Sequence, residues 1–110
     1  MNFWKKGKAE QPPYYAVIFS SEKSETLDGF EEMDEKILKL ALEQEGFLGF
    51  ETSGNGKENI FISYWKTLEA IDKWRHNMQH IEAKELGIKH WYKRYLSQIC
   101  KVELSHEMIK

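Results

Sequence analysis

The chain has a single cysteine, Cys100, among its 110 residues. One thiol cannot close an intrachain disulfide, which excludes a disulfide-stapled secreted scaffold. Cys100 lies in an apolar run from Leu96 to Leu104, where a thiol is expected to pack as a small hydrophobe. A catalytic thiol would need a base beside it, and the sequence specifies none. Neither sign of charge dominates: 16 Lys and Arg stand against 18 Asp and Glu, a net charge of −2. Binding to nucleic acid through counterion release calls for a basic surplus, so no nucleic-acid partner is expected. No apolar run approaches a membrane span. The start carries Lys5, Lys6 and Lys8 but no apolar stretch behind them, which argues against a secretory signal. No membrane association and a cytoplasmic location are the expectations. There is no glycine-rich phosphate loop either, because Gly54 and Gly56 fall in a hairpin rather than between a strand and a helix.

Histidines are also few: His76, His80, His90 and His106. His76 and His80 are four apart and can share a helix face. A zinc-protease pair needs Glu directly after the first His, however, and Asn77 stands there. With no cysteine pair and no third ligand, no metal site is expected.

What the chain does have is aromatic side chains, 14% of residues, within a hydrophobic fraction of 41%. That suffices for one core in one domain. Residues 1–13 read as a flexible N-terminal arm ending in Pro12-Pro13, which blocks helix. Residues 14–110 read as a single domain. Tyr14 to Ser21 predicts a strand, apolar on both faces: Tyr14, Ala16 and Ile18 one way, Tyr15, Val17 and Phe19 the other. Ser24 to Gln44 predicts a helix, capped by Ser24 or Thr26 and followed by Gly46. Phe30, Met33, Ile37, Leu40 and Ala41 form its inner stripe, with Glu31, Glu32, Asp34, Glu35 and Lys39 on the other side. Phe47 to Thr52 and Asn59 to Trp65 predict a hairpin around Ser53-Gly54-Asn55-Gly56, and Gly49 suggests a bulge. Thr67 caps a second helix whose buried side is Leu68, Ile71, Trp74, Met78 and Ile81, weakened at Gly87. Arg94 to Glu103 predicts the last strand.

The order strand, helix, strand, strand, helix, strand is the split βαβ pattern. The fold expected is α+β: a ferredoxin-like βαββαβ antiparallel sheet with two helices on one face. The other sheet face is apolar too, and a chain of this length has no third layer to cover it. A second copy, sheet against sheet, supplies the cover, so a homodimer is expected.

The aromatic clusters are the distinctive feature. Tyr64-Trp65 ends the third predicted strand, Trp74 follows on the helix, and Trp91-Tyr92 with Tyr95 enters the last strand. Such side chains either build the core and the dimer face or wall a pocket for a planar molecule. Arg75 and His80 offer polar groups to orient it, and Ser20 at the end of the first strand either orients a ligand or begins a turn.

Tyr64-Trp65, Trp74-Arg75, His80, Ala83-Lys84, Gly87 and Trp91-Tyr92, with the opening Tyr14-Tyr15-Ala16-Val17-Ile18-Phe19 and the Gly46-Phe47-Leu48-Gly49 step, resemble the antibiotic-biosynthesis monooxygenase family over about residues 14–104. The resemblance implies a dimeric α+β barrel. It also implies a family that includes cofactor-independent oxygenases of aromatics and quinols, haem-degrading enzymes and proteins without assigned activity. The haem-degrading branch uses an Asn on the first strand, a Trp ending the third and a helix-two His. Here Trp65 matches, the first strand has no Asn, and the iron-ligand position falls on Lys84, so the haem-degrading set is incomplete. The cofactor-independent branch implies no cofactor, with Trp65 stacking on the substrate and His80, Arg75 or Tyr64 steadying its anion. Two alternatives of other classes are a non-catalytic dimeric binding or stress-response module and a haem-binding protein.

Overall fold

A computed structural model describes residues 2–25, 27–77, 82, 85 and 90–110. Its elements are β1 (Asn2–Trp4), β2 (Tyr14–Lys23), α1 (Phe30–Leu42), β3 (Phe47–Gly54), β4 (Glu58–Trp65), α2 (Leu68–Arg75) and β5 (Tyr92–Val102). The strands form one antiparallel sheet in the order β1-β3-β4-β2-β5. Without β1 this is the ferredoxin-like βαββαβ arrangement expected from the element order. β1 is the addition. Within the segment expected as a flexible arm, Trp4 pairs with Gly49 on the edge of β3, and the Lys5 amide donates to the Leu48 carbonyl at 2.8 Å.

Strand periodicity divides the side chains between two sheet faces. On the helix-covered face, Phe47, Phe50, Trp65, Ala41, Ile71 and Trp74 form the buried core, with Tyr15, Val17, Ile37, Leu38, Leu40 and Phe61 packed against it. Each such large side chain contributes roughly 1.5–3 kcal/mol of hydrophobic stabilisation. The expected bulge at Gly49 is present: β4 steps from Trp65 to Tyr64 while β3 steps from Phe47 to Gly49. That slip leaves a residue without a Cβ between Trp4 and Tyr64, whose rings stack at 4.5 Å and 16°.

Helix boundaries follow capping chemistry. Thr67 caps α2 as expected, its hydroxyl accepting from the Ala70 amide at 3.0 Å. α1 starts later than expected, at Phe30, behind Gly29 at φ 80 with no side-chain cap. Ser24 is not the cap because its hydroxyl donates to the His90 carbonyl at 2.5 Å, tying this loop to the start of β5. Gly46 at φ 86 turns the chain from α1 into β3. A Cβ there would lie 2.7 Å from Ala70 Cβ, so the position needs glycine for both its backbone and its packing.

Two apolar residues lie where pattern reading did not put them. Leu68 is 51% exposed at the start of α2 rather than buried, where it borders an open concavity with Ile99. Cys100 is exposed because it pairs with Ala16 on the sheet face that carries no helix. Met78, Ile81 and Gly87 lie outside the described residues.

Candidate functional site

The residues singled out in the sequence separate into distinct places. Trp65 and Trp74 are brought together, ring centroids 5.8 Å apart, with Phe47 edge-on to Trp65 at 5.2 Å. Trp65 has 0% exposure, and its Nε1 donates to Ser63 Oγ at 2.9 Å. A ring so enclosed has no free surface for stacking on a ligand, and its one polar group is already satisfied, so Trp65 is a core residue in this chain. Tyr64, next to it in sequence, faces the opposite side of the sheet, as strand alternation requires. There it joins Trp4 and Tyr14, the two tyrosine rings 5.8 Å apart and edge-on. Burial, together with the nearby Glu51 carboxylate, pushes the Tyr64 hydroxyl up to about 12. Ser20 is on that face too, between Ile60 and Leu96. Arg75 lies elsewhere again, beside an open concavity of about 560 Å³ bordered by Leu68, Ile71, Asp72 and Ile99. His80 and Lys84 lie outside the described residues.

Trp91 and Tyr95 belong to a second aromatic group, where α1 begins, β2 ends and β5 starts. Phe30 meets Trp91 edge-on at 5.5 Å and Tyr92 at 6.2 Å. Phe19 meets Tyr92 at 5.3 Å and stacks on Tyr95 at 5.4 Å. Trp91 is fixed from the loop before α1: its Nε1 donates to the Asp28 carbonyl at 3.1 Å, and its own carbonyl accepts from the Ser24 amide at 2.8 Å. Gly29 contributes through its backbone, which takes φ 80, a conformation that L side chains rarely adopt.

One charged group stands over these rings, and a second lies nearby on α1. Lys23 Nζ sits 4.3 Å over the Phe30 ring, a cation–π contact. In the amide orientation that satisfies both ends, Asn59 accepts from Lys23 Nζ at 2.7 Å and donates to the Glu58 carbonyl at 2.9 Å. Asp34 comes one turn after Phe30 on α1, so the two share a helix face. Its carboxyl is raised above the usual range by the neighbouring apolar groups; Lys23 opposes that shift and Glu35 adds to it. Burial, reinforced by the Asp34 charge, pushes the Tyr92 hydroxyl up to about 12. The region therefore combines flat apolar walls, a lysine held in place and a carboxylate that accepts a proton more readily than an ordinary one.

Sequence reading found Trp91, Tyr92 and Tyr95 but missed Phe19, Phe30 and Lys23 as their partners, and Asp34 beside them on α1. The available signal was the four-residue spacing of Phe30 and Asp34, hidden because Asp34 stands among Glu31, Glu32 and Glu35 and reads as part of a solvated face. Among the described residues, no group of three or more His, Cys, Asp or Glu is placed to hold a metal ion. No described helix is long and apolar enough to cross a membrane.

Solved structures similar to this chain share its fold at low identity. A putative antibiotic biosynthesis monooxygenase from Nitrosomonas europaea matches with a TM-score of 0.72 at 10% identity, covering 86% of this chain and 95% of that one. SnoaB, a cofactor-independent oxygenase from Streptomyces nogalater, matches with a TM-score of 0.69 at 9% identity, over 90% of this chain and 100% of that one. In sequence, the uncharacterized protein YqjZ of Bacillus subtilis (strain 168) is 46% identical over 98 residues, 87% of this chain and 85% of its own length. The sequence model of the family described as Monooxygenase af470-like matches residues 15–110, and the chain therefore belongs to that family, of the antibiotic-biosynthesis monooxygenase type.

Proposed function

We propose that the chain is a cofactor-independent monooxygenase acting on a quinol-like or other electron-rich aromatic small molecule. The observation that carries this reading is the group of rings from Phe19, Phe30, Tyr92 and Tyr95 beside Lys23, with Asp34 one turn along α1. Flat walls with a few polar groups suit a planar aromatic ligand, and one cation beside one proton acceptor suits an ionising phenol. The chemistry closes on the substrate and oxygen alone. An anthrone methylene plus O2 gives a quinone carbonyl plus water; a hydroquinone plus O2 gives a hydroxyquinone plus water. In each case the substrate supplies all the electrons, one oxygen atom enters the product and the other leaves as water. The protein has to bind the ring, stabilise its anion and exclude bulk water.

The same proposal includes a homodimer formed through the sheet face that carries no helix. Ile60 is 48% and Leu96 51% exposed there, with Cys100 beside them. An apolar area of this kind on an edge-to-edge sheet is ordinarily covered in the working protein.

Oxygen uptake by the purified protein with a panel of hydroquinones and anthrones tests the activity. Uptake above spontaneous oxidation, with one oxygen atom in the product, is expected. No acceleration across the panel would contradict it.

A further inference from the structure

We infer that Asn55, at the tip of the β3–β4 hairpin, is a site of spontaneous deamidation that the folded turn holds shut. Of the four asparagines, Asn2, Asn55, Asn59 and Asn77, Asn55 alone precedes a glycine. The amide nitrogen of the following residue is the nucleophile in this reaction, and glycine has no side chain to screen it. Residues 53–58 are all exposed, and a Cβ at Gly56 would meet nothing within 4 Å. Neither bulk nor burial protects the pair. Hydrogen bonding does. Asn55 Oδ1 accepts from the Lys57 amide at 3.0 Å and from the Glu58 amide at 2.8 Å. The Asn55 amide donates to the Glu58 carbonyl at 3.2 Å, and Gly56 takes φ 87 between them. The asparagine side chain thus stands in for a backbone carbonyl of the turn. Gly54 and Asn59 pair directly behind it, and a Cβ on Gly54 would overlap the Asn59 side chain.

The reaction balances with water alone. The Gly56 nitrogen gives up its proton and bonds to Asn55 Cγ. The Cγ–Nδ2 bond breaks, and Nδ2 leaves as ammonia with that proton. A five-membered succinimide then joins the two residues, and water opens one of its two carbonyls to give aspartate or isoaspartate. No atom is oxidised or reduced. Closing the ring requires Cγ to turn onto the Gly56 nitrogen, whereas the two hydrogen bonds fasten its oxygen towards Lys57 and Glu58. The reactive form therefore arises when the turn opens locally or the chain unfolds. In isoaspartate the main chain runs through Cβ and Cγ, which lengthens a turn that sets the β3–β4 register.

Two measurements on the full-length protein test the inference. In the first, the protein is incubated at mildly alkaline pH, folded and in unfolding guanidinium, and its asparagine-containing peptides are followed by mass spectrometry for the change from amide to acid. In the unfolded chain Asn55 should convert ahead of the other three asparagines, with isoaspartate as the main product. In the folded chain it should convert at least roughly tenfold more slowly, the factor that two net hydrogen bonds supply. Equal rates in the two states would overturn the inference, as would another asparagine converting first in the unfolded chain. The second is amide exchange by NMR. The Lys57 and Glu58 amides should exchange more slowly than the Gly56 amide, and Asn55→Ala, which removes the acceptor, should abolish that difference. Fast exchange of both amides in wild type, or protection that survives Asn55→Ala, would equally overturn it.

Discussion

Ser63 and Trp65 show how one hydrogen bond fixes a core side chain. The indole N–H is wholly buried, and Ser63 Oγ accepts from it at 2.9 Å. Ser63→Ala strands that donor, so a loss of about 1–3 kcal/mol in denaturant unfolding is expected, whereas a change within a few tenths would deny the bond any structural role. Asp34 gives the opposite sign. Its folded carboxyl is raised, so folding disfavours the ionised form: the associated stability is present below the ordinary carboxylate range and is lost as pH rises through the raised value. Asp34→Asn removes that loss, and its melting temperature at pH 7 should equal or exceed that of wild type. A variant less stable at pH 7 would contradict it. Tyr64 and Tyr92 extend the argument to alkali. Both hydroxyls are held near 12, so the unfolded chain ionises first, and stability should decline from about pH 10 towards 12. Tyr92→Phe should flatten part of that decline.

Among the elements, β1 was the least legible in the sequence and is the most informative in the structure. Asn2–Trp4 is too short for a strand pattern, and its docking depends on Gly49, forty-five positions away, leaving room for Trp4 to stack on Tyr64. No local periodicity encodes such a long-range pairing. Trp4→Ala should cost about 1–3 kcal/mol through lost burial and stacking, and amide exchange of Lys5 should accelerate with it. The βαββαβ order, the hairpin and the Thr67 cap were legible because each rests on local chemistry: alternation, positive-φ residues and a hydroxyl before a helix. The α1 start was not, because Ser24 bonds to His90, a contact between distant segments. The site was half legible. Trp91 and Tyr95 stood out as aromatics, but the partition of Tyr64 from Trp65 onto opposite sheet faces and the meeting of Phe19 and Phe30 with Tyr92 emerge only once the sheet and α1 are in register. Gly46 permits a sharper test of the α1–β3 joint. Gly46→Ala combines a disfavoured backbone with a Cβ 2.7 Å from Ala70, and a destabilisation above about 1 kcal/mol is expected.

For the whole molecule, the question is how a sheet with one helix layer manages its second apolar face. Trp4, Tyr14 and Tyr64 cover one end of that face, while Ile60 and Leu96 stay open towards the other. The C-terminal segment adds Leu104 at 89% exposure, with Met108 and Ile109 also exposed. A homodimer would bury these groups, and light scattering at micromolar concentration should give twice the 13.1 kDa chain mass. Leu96→Asp should return it to one chain mass, since the charge would enter a dry interface. A monomeric wild type would leave the face unexplained and remove the sheet-to-sheet assembly.

The most direct test of the central claim, an oxygenase that needs only its aromatic substrate, is oxygen uptake by purified protein with hydroquinones and anthrones, corrected for spontaneous oxidation and paired with product mass in ¹⁸O2. The account predicts accelerated uptake with one labelled oxygen atom in the product and the other in water. Uptake at the spontaneous rate for every compound, or product carrying no label, would contradict it.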